Sequence, residues 1–264
     1  MVKAKKQFGQ NFLKDSWFVN QIIEAMPDSN RILVEIGPGL GDLTKEILKK
    51  RSAVAIEIDR DLYQRLRSSF SHEIAMGRLV LIGADVLTYW DQKGRLADEP
   101  YDLVANLPYY VATEIILRAL QDPQCASLLV MIQKEVAEKF TAKPSDREYS
   151  SLAILAESVG RAELLFEVPP EAFDPAPKVV SAVMRIIKEK PHYDKDFAAF
   201  LKRAFTQPRK TLQKNLSPFW DPNAVKEAFA ALGINPLSRP HELPKDLFFD
   251  LYFRLKGREN HGKQ

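Results

Sequence analysis

Four consecutive residues, Asn106-Leu107-Pro108-Tyr109, carry the groups needed to activate an exocyclic aromatic amine. Such an amine is a poor nucleophile because its lone pair is delocalised into the ring. The side-chain carbonyl of Asn106 and the backbone carbonyl of Leu107 can each accept one of its hydrogens, which turns the lone pair toward an electrophilic carbon. Pro108 has a fixed φ and no N–H, so it does not compete for those carbonyls. Tyr109 offers a ring face for a flipped-out base, an interaction of roughly 1–3 kcal/mol. No strong general base is required, since the ammonium product is itself acidic. Plainer roles stay open at this point: Pro108 as a loop rigidifier and Tyr109 as a core aromatic.

A second group of residues suits a nucleotide-like cofactor. Glu35-Ile36-Gly37-Pro38-Gly39-Leu40-Gly41-Asp42 places Gly37 and Gly39 in a turn between an apolar run and a helical pattern, where backbone can approach a ligand closely. Glu57, 20 residues after Gly37, falls at the end of the next apolar run, where a carboxylate can accept from ribose hydroxyls. A glycine-rich turn alone is equally compatible with a tight structural turn. Gly83-Ala84-Asp85 and the Asn106 turn favour S-adenosyl-L-methionine over a dinucleotide. Asp85 at a strand end can accept from an adenine amino group, although it can also simply cap the following helix. A dinucleotide enzyme more often carries a third glycine at position 42 and has no use for the Asn-Leu-Pro-Tyr turn.

The elements that must position these residues follow a βαβ rhythm. Arg31 to Ile36, Ala53 to Ile58, Leu79 to Ile82, Tyr101 to Ala105 and Ser127 to Ile132 read as buried strands. Helical patterns lie between them: a segment capped by Asp42, then Arg60 to Phe70 and Thr113 to Gln121. Ala162 to Val168 and Val179 to Ile187 are separated by no long helix and are expected to pair antiparallel at one edge. The expected fold is α/β, with a seven-stranded, mostly parallel sheet covered on both faces. An extra N-terminal helix, capped by Ser16 and ended by Pro27, precedes it.

After Ile187 only helical periods remain, which predicts residues 1–187 as one domain and 188–264 as a small all-α C-terminal domain, with Lys188 to Asp194 as the boundary. The last few residues, Gly257 to Gln264, are expected to fray.

Composition narrows the function class. The 264 residues are 45% hydrophobic and 28% charged, as in a globular protein with a sizeable core. Met1 to Phe12 carries Lys3, Lys5 and Lys6 with no apolar run behind them, so neither a secretory signal nor a membrane span is expected, and the cytoplasm is the default compartment. The single Cys125 excludes an intramolecular disulfide. His72, His192, His241 and His261 show no metal-ligand spacing with it, so no metal is expected. The net charge of +3 is unevenly spread: residues 188–264 hold 15 Lys and Arg against 9 Asp and Glu, and a second basic cluster lies at the N-terminus (Lys3, Lys5, Lys6, Lys14). That asymmetry suits a polyanionic partner, and equally an ordinary solvated surface.

Taken in order, several blocks resemble the small-subunit ribosomal RNA adenine-N6,N6-dimethyltransferases, the KsgA/RsmA family. They are Gly9-Gln10-Asn11-Phe12-Leu13, Glu35 to Gly39, Ile56-Glu57-Ile58-Asp59, Asn106 to Tyr109 and Gln133-Lys134-Glu135-Val136. They continue with Val168-Pro169-Pro170, Phe173, Pro175 to Val179, Ser181-Ala182-Val183, and Ala204 to Gln207 ahead of Arg209-Lys210-Thr211. The resemblance implies a Rossmann-like class I methyltransferase acting on two adjacent adenines in a hairpin loop near the 3′ end of small-subunit rRNA, with a role in subunit biogenesis. It assigns cofactor contacts to Asn11, Leu13, Gly37, Gly39, Glu57, Asp85 and Asn106, and a stacking role opposite Tyr109 to Phe173. With the charge surplus it points to Lys202, Arg203, Arg209 and Lys210 as RNA contacts, in a chain expected to act as a monomer. The chain departs from the family pattern at Tyr110 (commonly Asn), Ser150 (often Gly) and Pro208 (usually Arg). Pro208 is expected at the first position of a helix. Two rival readings stand beside this one. Erythromycin-resistance enzymes perform the same chemistry on large-subunit RNA but more often carry Ile at the position of Leu107. A non-catalytic assembly or mitochondrial transcription factor of the same fold would not need Glu57, Asp85 and Asn106 intact.

Overall fold

The computed structural model describes Lys5, residues 8–189 and residues 193–259. Lys3, Lys6, His192, His261, part of the expected boundary stretch and most of the expected frayed end lie outside the described residues.

The chain opens with β1 (Phe12–Leu13) and α1 (Ser16–Glu24), then alternates through β2 (Ile32–Ile36), α2 (Asp42–Lys50), β3 (Ala53–Glu57), α3 (Arg60–Ser69), α4 (Ser71–Ala75), β4 (Leu79–Gly83), α5 (Val86–Lys93), β5 (Tyr101–Asn106), α6 (Ala112–Gln121) and β6 (Cys125–Gln133). It continues with α7 (Lys134–Thr141), α8 (Ser151–Val159), β7 (Gly160–Val168), β8 (Phe173–Asp174) and β9 (Ser181–Lys188). The last helices are α9 (Lys195–Ala204), α10 (Leu212–Leu216), α11 (Pro222–Ala231) and α12 (Lys245–Leu255).

Seven strands form one sheet in the order β4-β3-β2-β5-β6-β9-β7. The first five run parallel, and β9 runs antiparallel to both of its neighbours. The expected antiparallel pair is therefore present at one edge of the sheet, with β7 outermost and β9 inside it. Ala182, Val183, Met184 and Ile186 of β9 are all fully buried and need cover on both sides, whereas β7 keeps exposed positions that an edge tolerates. Gly160 permits this pairing, because a Cβ there would lie 1.9 Å from the Ile187 carbonyl oxygen. A further two-stranded sheet, β1 with β8, was not expected; Leu13 pairs with Phe173.

The strand order decides where a site can form. From β2 the chain steps to β3 and β4 on one side, then returns to place β5 on the other. A crevice opens outside the carboxyl end of β2 at such a reversal. At the opposite ends of the strands, buried Asp102 accepts from Ser127 Oγ (2.7 Å) and Arg51 (2.8 Å), pinning β5, β6 and α2 together.

Several helix starts differ from expectation by one residue. Asp15, not Ser16, caps α1 by accepting from the Trp17 N–H, and that helix ends at Glu24, before Pro27. Gly41 precedes α2 with φ 89°, a left-handed conformation that Asp42 would adopt only with strain, so Asp42 becomes the first helical residue. Pro208 lies in a turn ahead of α10, whose cap is Thr211, and not at a helix start.

The chain divides into two compact units, Met1–Ala137 with Gly160–Pro191 and Glu138–Val159 with His192–Gln264. The second is helical, as expected, but its boundary is not the single cut after residue 187. Helix α8 leaves the first part of the sequence to pack on α9 and α12, giving that unit an extra apolar layer. Within it, Phe197 stacks on Phe249 with ring centroids 4.0 Å apart, and Phe200 meets Trp220 edge-on.

Glu35 makes the sheet pH-sensitive. It is buried in β2 and accepts a 2.6 Å hydrogen bond from Thr44 of α2. Burial pushes its carboxyl up to about 8; the Thr44 bond opposes the shift and the nearby Glu57 adds to it. The protonated form is therefore the folded form at neutral pH. Its contribution to stability is complete below the ordinary value of 4.5 and is lost as pH rises through about 8. Urea unfolding of wild type is expected to weaken from about pH 5 to about pH 9. Glu35→Gln should flatten that slope; an unchanged slope would show that Glu35 is ionised in the folded protein.

Candidate active site

Glu57 ends β3 and is 3% exposed. Its Oε1 accepts from the Asp59 N–H (2.9 Å) and its Oε2 from the Gly39 N–H (3.1 Å). A carboxylate has about four lone-pair directions, so each oxygen keeps one for a ligand hydroxyl. Burial raises its pKa, while the Asp59 and Gly39 bonds favour the charged form. Gly37 follows β2 with φ 67°, and a Cβ there would meet no atom within 4 Å. The absent side chain leaves open space against the cleft that Gly37 lines.

An N-terminal arm crosses to these strand ends. Gln10 Nε2 donates to Asp59 Oδ2 (3.0 Å), and Lys5 Nζ reaches Asp59 Oδ1 (2.7 Å) and Asp61 Oδ2 (2.6 Å). Burial disfavours the Asp59 charge, but the bonds from Lys5, Gln10 and the Asp61 backbone outweigh it and hold the carboxyl below its usual range. Asn11 donates from its side chain to the Gly9 carbonyl (3.2 Å), while its own carbonyl accepts from Asn106 Nδ2 (3.0 Å).

That last bond orients the amide of Asn106. A backbone carbonyl only accepts, so the NH2 group faces Asn11 and Oδ1 has no hydrogen-bond partner among the described residues. The Leu107 N–H donates to the Met131 carbonyl (3.1 Å), while the Leu107 carbonyl accepts nothing among the described residues. Tyr109 is half-buried, and its hydroxyl lies 2.7 Å from Ser181 Oγ. Burial raises the phenol pKa and the Ser181 bond partly offsets that, so the hydroxyl stays protonated.

A cleft of about 850 Å³, open to solvent, gathers most of the expected site residues: Asn11, Leu13, Gly37, Gly39 and Glu57 line it together with Asn106, Leu107, Pro108 and Tyr109. Asp85 lies in an adjoining apolar recess that shares Gly37, Ile58 and Pro108 with the cleft. Its Oδ1 caps α5 through the Thr88 N–H (2.9 Å), which is the structural role the sequence left open, and Oδ2 has no hydrogen-bond partner among the described residues. The plainer core role does not describe Tyr109, which lines the cleft. Phe173 is not brought to the cleft: it is 1% exposed in the core beneath the β1 and β8 pair, with no free ring face for a base. It pairs with Leu13 and is buried, so the stacking arrangement expected opposite Tyr109 is not formed in this structure.

Three contributors went unassigned in the sequence: Ser181, the Gln10 to Asp59 bond, and Phe12, whose ring lies under Gly39 (3.1 Å from a Cβ built there). All three stand inside recognisable blocks, but their partners are remote in sequence.

In the helical unit, Lys202 and Arg203 close the last turn of α9, and Arg209 and Lys210 lie in the turn before α10. None of the four has a carboxylate partner among the described residues. The Arg203 guanidinium sits over the rings of Phe219 (5.1 Å) and Trp220 (5.3 Å). No helix among the described residues is long and apolar enough to cross a membrane.

The family model described as "Ribosomal RNA adenine dimethylase" matches residues 1–256. The chain is 52% identical over 261 residues to ribosomal RNA small subunit methyltransferase A of Aliarcobacter butzleri, covering 98% of both chains. It is 51% identical over 251 residues to the protein of that name from Sulfurimonas denitrificans, covering 95% of this chain and 93% of the relative. Among solved structures it resembles a dimethyladenosine transferase from Plasmodium falciparum, with a TM-score of 0.79 and 23% identity over 94% of this chain and 98% of that one. It also resembles the 23S rRNA methyltransferase ErmE, with a TM-score of 0.72 and 25% identity over 93% and 100% of the two chains. With a Rossmann-like sheet, a cleft at its switch point and a family match over nearly its whole length, the chain belongs to the ribosomal RNA adenine dimethylases, methyltransferases that use S-adenosylmethionine.

Proposed function

We propose that this chain dimethylates N6 of two adjacent adenines in the 3′-terminal hairpin loop of small-subunit rRNA, during subunit biogenesis, and that it works as a cytoplasmic monomer. The observation that carries the reading is the Asn106 amide, turned by the Asn11 carbonyl so that its oxygen remains an acceptor beside the Leu107 carbonyl and the Tyr109 ring. The small-subunit names of its relatives favour this target over large-subunit RNA.

The residues present fit the cofactor. Glu57 keeps two lone-pair directions for ribose hydroxyls, Gly37 leaves room for close approach, and Asp85 Oδ2 can accept from an adenine amine. When bound, S-adenosylmethionine supplies an electrophilic methyl group on a sulfonium centre. Asn106 Oδ1 and the Leu107 carbonyl would each accept one hydrogen of the target amine, which tips its lone pair out of conjugation. Tyr109 would hold the base plane by stacking. Lys202, Arg203, Arg209 and Lys210, free of carboxylate partners among the described residues, would neutralise RNA phosphates.

Purified chain is expected to incorporate labelled methyl groups into small ribosomal subunits lacking the modification and not into large subunits. Reversed selectivity would overturn the assignment. Glu57→Ala should weaken S-adenosylmethionine binding by roughly 10- to 150-fold in calorimetric titration, since bonds to a charged group contribute about 1.5–3 kcal/mol. Replacing Lys202, Arg203, Arg209 and Lys210 with Gln should weaken subunit binding and flatten its salt dependence by about 0.7–0.9 in log–log slope per lost phosphate contact. Cofactor affinity should stay the same, and an unchanged salt slope would rule these residues out as the RNA track.

A further inference from the structure

Ser181 opens β9 and is 0% exposed. Its backbone position is fixed from both sides, opposite Gln133 of β6 and Val168 of β7. Its hydroxyl has one hydrogen-bond partner among the described residues, the Tyr109 hydroxyl at 2.7 Å. Tyr109 itself sits in a turn held at its base by the Leu107 N–H to Met131 carbonyl bond and the Val111 N–H to Pro108 carbonyl bond (3.2 Å). A tyrosine ring has only two side-chain torsions. With the backbone held at one end and the hydroxyl at the other, the direction of the ring is set by the first torsion, and the preference of a phenolic O–H for the plane of its ring biases the second.

The pairing is mutual. Removing the phenol hydroxyl would strand the Ser181 hydroxyl in a fully buried place, and removing the serine hydroxyl would release the tip of the ring. Ser181, unlike Tyr109, does not line the cleft, so its hydroxyl reaches the site only through the tyrosine. We propose that Ser181 is a positioning residue of the methyl-transfer site, fixing the ring plane of Tyr109 and thereby the plane of the base stacked on it. The proposal rests on the reading of Tyr109 as the stacking residue. It assigns the serine a role in presenting the substrate, acting wholly through the tyrosine.

The test is single-turnover methylation by wild type, Ser181→Ala, Tyr109→Phe and the double variant, with saturating S-adenosylmethionine and small subunits. One hydrogen bond corresponds to about fivefold. Each single variant should slow transfer by about that factor, and the double variant should be no slower than the slower single, because the two changes remove one interaction. Calorimetric affinity for S-adenosylmethionine should be unchanged in all four, which a general loss of sheet structure would not allow. A wild-type rate for Ser181→Ala, or losses that multiply in the double variant, would overturn the proposal. Tyr109→Ala separates the two levels: a wild-type rate there would sink the stacking reading itself, whereas a large loss there with no effect of Ser181→Ala would sink only the positioning role.

Discussion

The site depends on one hydrogen bond, from the amide of Asn106 to the backbone carbonyl of Asn11. Because the acceptor has no hydrogen to give, the bond has a single possible polarity, and the amide oxygen is left without a partner among the described residues. The same bond fastens the end of β5 to the N-terminal arm. Through Gln10 and Lys5 the arm is fastened to Asp59, and through the Asp59 N–H to Glu57 at the end of β3. The proposed acceptor for the amine and the proposed carboxylate for the cofactor thus belong to one hydrogen-bonded circuit around the reversal in strand order. Such a circuit fixes geometry before any ligand arrives, which is how positioned groups lower a barrier.

Electrostatics shape the same region. Two buried carboxyl groups, Glu35 and Glu57, stand near each other under the glycine turn. Two like charges in a dry site would repel strongly, and burial resolves the conflict by keeping Glu35 protonated against Thr44. Glu57, with two backbone N–H donors, is the better placed to hold a charge. Asp59 lies at the other extreme: cationic Lys5 and the Gln10 amide keep it ionised, so the arm is held by charge as well as by the β1 and β8 pairing.

What could be read from the sequence follows from distance along the chain. Parallel strands buried on both faces are continuous apolar runs, so strands β2 to β6 were legible to within a residue or two at most ends. The turn Asn106 to Tyr109 and the glycines before α2 were legible because their chemistry is local. The insertion of β9 between β6 and β7 was not, since it depends on which strand most needs burial. The attachment of α8 to the C-terminal helices was hidden for the same reason, as its partners lie beyond position 190. Phe173 is the instructive miss. Its place in a recognisable block suggested a substrate contact, but pairing with Leu13 buries it beneath the arm. Ser181 is its counterpart, a small residue whose role is visible only when its distance to Tyr109 is known.

The central claim is that positioned acceptors, not a titrating base, prepare the amine for transfer. The most direct measurement is the single-turnover rate of methyl transfer against pH, from about pH 6 to about pH 9, with cofactor and RNA kept saturating. Since Asn106 and the Leu107 carbonyl do not titrate in this range, the rate should stay level. A rate that climbs in proportion to hydroxide and then reaches a plateau would reveal an ionising base in the reacting complex and contradict the account.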